Sequence, residues 1–304
     1  MIFLYHSVVA DNSPPARWCI GQALPAESFR RQVLWLSRAF QFLPLPEYLD
    51  ERKKARRSIR RIAALTFDDG VGSTFRRVAP FLEENRVPAT FFISTGHLQG
   101  GKLLWFCYLN ALCFEDAYER ISVEDLSLPL QTLEQRVFAR RALETLARRG
   151  TDPGVFSEEM EKLYPLSDAV HEEYGGMTHA DVSSAGASRN FEIGSHSVTH
   201  PFLSRQSPDR QSREILESRR VLSDLSGRQI RYFAYPAGDY DRGTLDLLRE
   251  SGFEAGFATI SRRIGSDETF ELDRVGIYSP ALWKVKLKAW GVATAARRLG
   301  VRVG

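Results

Sequence analysis

Cysteine is nearly absent: the chain of 304 residues holds three, Cys19, Cys107 and Cys113. A sparse, odd set with no Cys-x-x-Cys spacing excludes a disulfide framework and a zinc ribbon and leaves reduced, structural thiols. A charge excess is missing too, because 41 basic and 38 acidic side chains nearly cancel. Bulk charge therefore points to no nucleic-acid or membrane partner. No apolar run approaches the length that spans a bilayer. The opening residues, Met1-Ile-Phe-Leu-Tyr-His6, show neither a basic leader nor a small-residue cleavage site. The expectation is a cytoplasmic enzyme, at most working at the inner face of a membrane.

What the chain does have is 43% apolar residues, enough for a full core, and a repeating strand–helix texture. The most telling stretch is Ala64 to Gly70, where an apolar run leads into Asp68 and Asp69 and stops at a glycine. It reads as a buried strand that carries two carboxylates to its own end. Neighbouring strand positions point to opposite sides, so the pair can serve one centre only if the strand has begun to unwind. A first strand over residues 2–9 holds His6 near its end, and apolar spacing predicts a helix from Pro25 to Phe40. Residues 51–61 hold seven basic side chains in eleven positions and read as a solvated surface.

A helix over 74–85 and a strand from Pro88 to Ser94 complete a βαβ unit, which implies parallel strands with functional groups at their C-terminal ends. The texture changes between about 97 and 188. We read a helical insertion there, with helices at 133–149 and 156–163, acting as a lid or substrate wall. The alternation then resumes, with strands near 191, 230, 253 and 272–278 and helices over 207–225 and 242–251. The tail, 281–304, carries six basic residues and no acidic one, with Trp283 and Trp290 among them. Its Trp-Lys-Val-Lys-Leu-Lys segment alternates with period two. The tail packs as a terminal helix or else makes a peripheral contact with an anionic membrane.

Six histidines are present, and two of them, His196 and His200, stand four apart just after a strand. Pro201 pushes His200 out of the α region and Ser-Val-Thr is poor in helix formers, so a loop leaving the strand at Gly194 carries the pair. Together with Asp68 and Asp69 on another strand end, these residues supply three metal ligands and a free carboxylate. Two histidines, one carboxylate and an open position are the pattern of a hydrolytic metal site.

Thr66-Phe-Asp-Asp-Gly70 and Ser195-His-Ser-Val-Thr-His200 resemble the first two signature motifs of the polysaccharide deacetylases, the NodB-homology family of carbohydrate esterases. The similarity extends to Pro88-Ala-Thr-Phe-Phe-Ile93, Tyr232-Phe-Ala-Tyr-Pro-Ala-Gly238 and Leu272-Asp-Arg-Val-Gly276. The resemblance implies a single catalytic domain over 1–304, an irregular α/β barrel of about seven β/α units. It implies that Asp69, His196 and His200 bind one divalent metal, expected to be zinc, and that Asp68 is the general base. Two features depart from the commonest pattern: no histidine follows His200, and Ala234 stands where arginine is usual. The N-terminus resembles the poly-N-acetylglucosamine deacetylase branch, which makes His6 the expected general acid.

Tyr235, Pro236, Asp239 and Arg274 are weaker candidates for substrate contact. Asp239 reads rather as a loop pin, and Arg274 as a partner for Asp68 in place of the absent arginine or as a structural salt bridge. His97, His171 and His179 lack partner spacing and are assigned to the surface or the insertion. The expected activity is metal-dependent removal of an N-acetyl group from an amino sugar in a polysaccharide, oligosaccharide or lipid-linked glycan. The alternatives are an O-acetyl esterase or non-sugar amide hydrolase with the same metal site, and an inactive carbohydrate-binding homologue. A magnesium-dependent nucleic-acid enzyme is disfavoured, since a histidine pair prefers a softer ion.

Overall fold

The computed structural model describes residues 1–13, 23–54, 61–265 and 267–291. Cys19, residues 55–60 of the basic run and the part of the tail from 292 lie outside them; the described part of the tail, with Trp283 and Trp290, gives the membrane contact no support. The chain opens with β1 Ile2–Tyr5, β2 Ser7–Val9, β3 Ala23–Pro25, α1 Ala26–Ala39, β4 Gln41–Phe42, α2 Leu45–Lys53 and β5 Ile62–Phe67. α3 Gly72–Glu84 and β6 Ala89–Ile93 follow. Next come α4 Trp105–Phe114, β7 Arg120–Val123, β8 Leu126–Pro129, α5 Leu133–Ala147, α6 Pro153–Leu163, α7 Asp168–Tyr174 and α8 His179–Ala187. The chain returns to the main sheet with β9 Phe191–Ser195, α9 Pro208–Ser226, β10 Tyr232–Ala234, α10 Arg242–Glu250 and β11 Ala255–Ala258. β12 Leu272–Asp273, β13 Val275–Gly276 and α11 Leu282–Ala289 end it.

The main strands lie in the order β12-β11-β10-β9-β6-β5-β1-β13, each paired pair parallel. The two outermost strands are separated in the chain by a single residue, Arg274. One segment, 272–276, thus pairs with β11 through its first half and with β1 through its second. The ring nearly closes there, with seven strand positions if β12 and β13 are counted as one. This is the irregular barrel that the resemblance implied, with β1 seated between β5 and β13.

Burial on both faces explains the uninterrupted apolar strands. Leu65, Phe67 and Phe91 face the surrounding helices, and the Phe67 and Phe91 rings stack at 5.0 Å. Ile2, Ala64, Phe92, Ala234 and Phe257 fill the inside, joined by Leu45, Tyr48 and Leu49 of α2. Those α2 residues plug the barrel at the N-terminal strand ends, which leaves the C-terminal ends as the place for a cleft.

Three local expectations are corrected. The strand expected over 2–9 breaks at His6, because β1 joins the barrel and β2 pairs with β3 in a separate small sheet. The strand over 272–278 divides at Arg274, where the segment crosses the seam. The insertion is not purely helical: β7 and β8 form an antiparallel hairpin that turns at Glu124 and buries Ile121 against Leu128. Helix and hairpin share a core of their own around Trp105, Leu109, Ile121 and Leu143. The terminal helix expected in the tail is present as α11 despite the alternating Trp283 to Lys288 segment, because Val285 and Ala289, one turn apart, are the buried side. Lys286 of α11 lies over the Trp35 ring of α1 at 5.5 Å. Among the described residues no helix is long and apolar enough to cross a membrane.

Candidate active site

β5 stops at Phe67, and the backbone then changes hand: Asp69 has φ 75° and Gly70 φ 76°. This is the unwinding that two adjacent carboxylates need to face one centre. His196 Nε2 lies 3.9 Å from Asp68 Oδ2 and 3.6 Å from Asp69 Oδ1, and His200 Nε2 lies 3.7 Å from Asp69 Oδ1. A left-handed non-glycine residue costs about 1–3 kcal/mol and needs support. Two donors supply it, the backbone N–H of Ser94 at 3.2 Å and the His97 ring Nε2 at 2.8 Å, both to the Asp69 carbonyl. Gly70 is required here, since a Cβ would sit 2.6 Å from Ile93 Cγ2.

His97 thus corrects the sequence reading, which left it on the surface or in the insertion. It is fully buried, and burial pushes its imidazole down to about 4 despite the hydrogen bond to Asp69. The neutral ring donates through Nε2. The signal available was its position, three residues beyond the Ser94 that ends the neighbouring strand segment. We expect His97→Ala to weaken divalent-metal affinity by about 10–100-fold, because Asp69 loses a donor that fixes its backbone. Competition with a chromogenic chelator measures this; unchanged affinity would reduce His97 to a packing residue.

His196 and His200 occupy a loop after β9, as Pro201 demands, and Ser197 and His200 are also left-handed, with φ 66° and 57°. Glu214 of α9, buried, holds this loop. Its carboxylate accepts from the backbone N–H groups of Val198 and Thr199 at 2.9 and 2.8 Å and from the Thr199 hydroxyl at 2.7 Å. Nothing in the local sequence marks Glu214, since its role depends on where α9 lies against β9. The His196 Nδ1 sits 2.7 Å from the Ala234 carbonyl. A carbonyl only accepts, so Nδ1 carries the proton and Nε2 presents its lone pair to the centre.

One ligand atom each from Asp69, His196 and His200 lies within 4.8 Å of the others, all three residues buried. Separations of 3.6 and 3.7 Å are too long for hydrogen bonds. They suit atoms flanking one ion held at about 2.0–2.2 Å. Burial and the neighbouring His196 push His200 down to about 3, so its imidazole is neutral, as ligation requires. His196 moves the other way: burial lowers it, but Asp68 and Asp69 outweigh that and raise it. Proton and divalent cation therefore compete for the same nitrogen. The donor set fits a divalent ion.

Asp68 stands beside this cluster. Arg274 clamps it with two bonds, Nη1 to Oδ1 and Nη2 to Oδ2, each 2.6 Å. Burial alone would raise the Asp68 carboxyl, but Arg274 and then His196 more than reverse it and hold it below the usual carboxylate range. Arg274 is 3% exposed, so of its readings the structure shows the partner of Asp68 and not a substrate contact. It arrives from the barrel seam while Ala234, across the interior, contributes only a methyl group. His6 follows β1 directly. The Tyr5–Phe67 register and the Asp68 N–H donating to the Tyr5 carbonyl at 3.1 Å set it beside Asp68 on the neighbouring strand end. Its Nδ1 has no hydrogen-bond partner among the described residues.

These residues line a cleft of about 620 Å³. The insertion makes one wall, with Trp105 and Phe106 from α4 and Arg140, Glu144 and Arg148 from α5 and its end. Phe106 also meets the His200 ring edge-on at 4.9 Å. Tyr235 borders the cleft, but it is 1% exposed, its hydroxyl donates to the Phe270 carbonyl at 2.7 Å and its ring stacks on Tyr240. Pro236 is buried and lies outside the cleft lining. Asp239 is a pin: it accepts from the Ser204 N–H and hydroxyl at 2.8 and 2.9 Å and from Arg262 at 2.6 Å. His171 and His179 belong to α7 and α8, away from the cleft.

The same arrangement of strands is found in solved structures. The Ammonifex degensii protein IcaB aligns with a TM-score of 0.60 at 19% identity, covering 95% of each chain. A Streptococcus pyogenes deacetylase, PplD, solved with acetate, aligns with a TM-score of 0.56 at 18% identity, covering 95% of this chain and 96% of its own. Identities this low establish the fold alone. In sequence, a Staphylococcus aureus poly-beta-1,6-N-acetyl-D-glucosamine N-deacetylase is 37% identical over 71 residues, 23% of this chain and 24% of that protein. The Bacillus subtilis protein YxkH is 27% identical over 97 residues, 32% of this chain and 34% of its own length. The matched segments thus span about a quarter to a third of these relatives. The family model for polysaccharide deacetylase matches residues 55–151 and 163–256. Those ranges cover well over half of the sequence, including both motif-bearing strand ends, and the chain belongs to the polysaccharide deacetylase family.

Proposed function

We propose that the protein is a metal-dependent hydrolase that removes the N-acetyl group from an amino sugar carried by a glycan or glycolipid. The observation that carries this is the convergence of Asp68, Asp69, His196 and His200 on one rim of an open cleft. A divalent ion on Asp69, His196 and His200, zinc by the preference of two imidazoles and a carboxylate, would polarise the acyl carbonyl and a water molecule. Asp68, kept ionised by Arg274, accepts the proton of the attacking water. An amine leaves poorly unless protonated, and His6, which lines the cleft on the strand end beside Asp68, is the group placed to deliver that proton. Glu214 and His97 hold the ligand-bearing backbone in its strained form. The name of the Staphylococcus aureus relative supports this reaction class. The Arg274 clamp and the position of His6 favour turnover over a merely sugar-binding protein.

The test is acetate release from matched N-acetyl and O-acetyl sugars, before and after chelation. We expect N-acetyl substrates to be cleaved, with activity lost on chelation and restored by zinc. Cleavage of O-acetyl esters alone would redirect the assignment, and no hydrolysis in the loaded protein would end it. His6→Ala should lower kcat by about 10²–10⁴-fold with metal content intact. Normal turnover in that variant would move the acid role elsewhere.

A further inference from the structure

The wall that the insertion adds to the cleft is built from donors. Arg140, Glu144 and Arg148 stand on successive turns at the C-terminal half of α5 and all line the cleft. Glu144 is shared: Oε2 accepts from Arg140 Nη1 at 3.0 Å and Oε1 from Arg148 Nε at 2.8 Å. One carboxylate between two guanidinium groups leaves one positive charge in excess. Arg148 is fixed further by two aromatic faces, its Cζ lying 5.4 Å from the Trp105 centroid and 5.0 Å from that of Phe202. Asp68 cannot neutralise the wall, because Arg274 occupies both its oxygens, and Asp69 faces the two histidines.

Two donors in this wall have no acceptor among the described residues: Arg140 Nε and Trp105 Nε1, both buried. The residues that bear them are 6% and 3% exposed. An arginine–glutamate ladder on a solvated helix face would look different, with its guanidinium groups in water. Here a buried cation, a stacked and half-exposed cation and an indole N–H all border one cleft, and the two unmatched groups of this wall are both donors.

We propose that this wall is an oxyanion subsite that recognises a carboxylate or phosphate on the N-acetylated glycan, making the cleft selective for an acidic substrate. The inference rests on the function proposed above, since it names the substrate class for the same cleft. Guanidinium forks match the paired oxygens of carboxylate and phosphate. A neutral hydroxyl could satisfy one donor but would leave the excess charge unanswered.

Binding to metal-loaded Asp68→Asn protein tests this, because its readout needs no turnover. The probes are N-acetylglucosamine, N-acetylmuramic acid and N-acetylglucosamine 1-phosphate, titrated by calorimetry. We expect one or both acidic sugars to bind at least about tenfold more tightly than the neutral one, the worth of a single charge-assisted hydrogen bond. The stronger of the two identifies the anion as carboxylate or phosphate. Arg148→Gln, at a half-exposed position that spares the fold, and Arg140→Lys, which keeps the charge but loses the fork, should each bring the ratio towards one. Equal binding of all three sugars overturns the proposal. So does an acidic preference that survives in both variants, the result expected if the anion only coordinates at the metal. Should wild-type protein release acetate from none of the sugars while the acidic preference holds, the catalytic reading fails and the subsite stands.

Discussion

Asp68→Asn is expected to lower deacetylation by about 10²–10⁴-fold, the usual contribution of a positioned general base, while the protein keeps its metal. The structure gives the two aspartates different neighbours. Asp69 points one oxygen at both histidines, at 3.6 and 3.7 Å. Asp68 lies against the cluster with its oxygens aligned by Arg274. Asparagine keeps the shape of Asp68 but cannot take a proton from water, so kcat should fall with little change in metal content. Elemental analysis beside kcat decides it. Loss of the metal, or activity above a tenth of the original, would mean that the division of labour is wrong.

The second large effect belongs to Arg274. Arg274→Met removes the partner of a buried carboxylate, a change that costs about 3–5 kcal/mol. We expect that loss in denaturant unfolding of metal-free protein, together with a fall in kcat. The pH dependence follows from the sign of the Asp68 shift. A carboxyl held below its ordinary value contributes stability above that value and loses it as pH falls through the folded one. In the variant, burial is opposed only by His196 and His6, and the charged form becomes less favourable at neutral pH. The gap between the two proteins should therefore be widest near neutrality and narrow on acidification. Adding Ala234→Arg to Arg274→Met places a guanidinium where the family usually has one, and it should recover part of the stability. A double variant no more stable than Arg274→Met would show that the two interior positions cannot substitute for each other.

Legibility from the sequence varied with distance along the chain. Asp68, Asp69, His196 and His200 were found because each pair sits inside one short motif at one strand end, where chemistry and turn residues adjoin. His97 was missed although it follows a strand end in the same way, because it carried no neighbour of its own kind. Tyr235 and Asp239 looked functional beside a glycine turn, yet the fold gives both polar ends to the Phe270 carbonyl and to Ser204 and Arg262. The β7–β8 hairpin was hidden in an insertion read as helical, since two short strands of mixed polarity carry little periodic signal beside long helices. The period-two pattern of 283–288 did not make a strand, because α11 buries Val285 and Ala289 and lays Lys286 over Trp35 of α1.

The sequence by itself determined the parallel β/α frame, the strand ends that bear the chemistry and the residues able to hold a metal. Those properties are local, written in apolar runs that stop at acids, histidines and glycines. Only the tertiary structure decided who supports them. Arg274 reaches Asp68 across 206 positions because the segment that bears it closes the barrel beside β1. Glu214 holds the histidine loop because α9 packs on β9, and Arg140 enters the cleft because the insertion folds over the rim. Such partners are set by which strands and helices become neighbours, and strand adjacency in a closing sheet has no signature in any local stretch of chain.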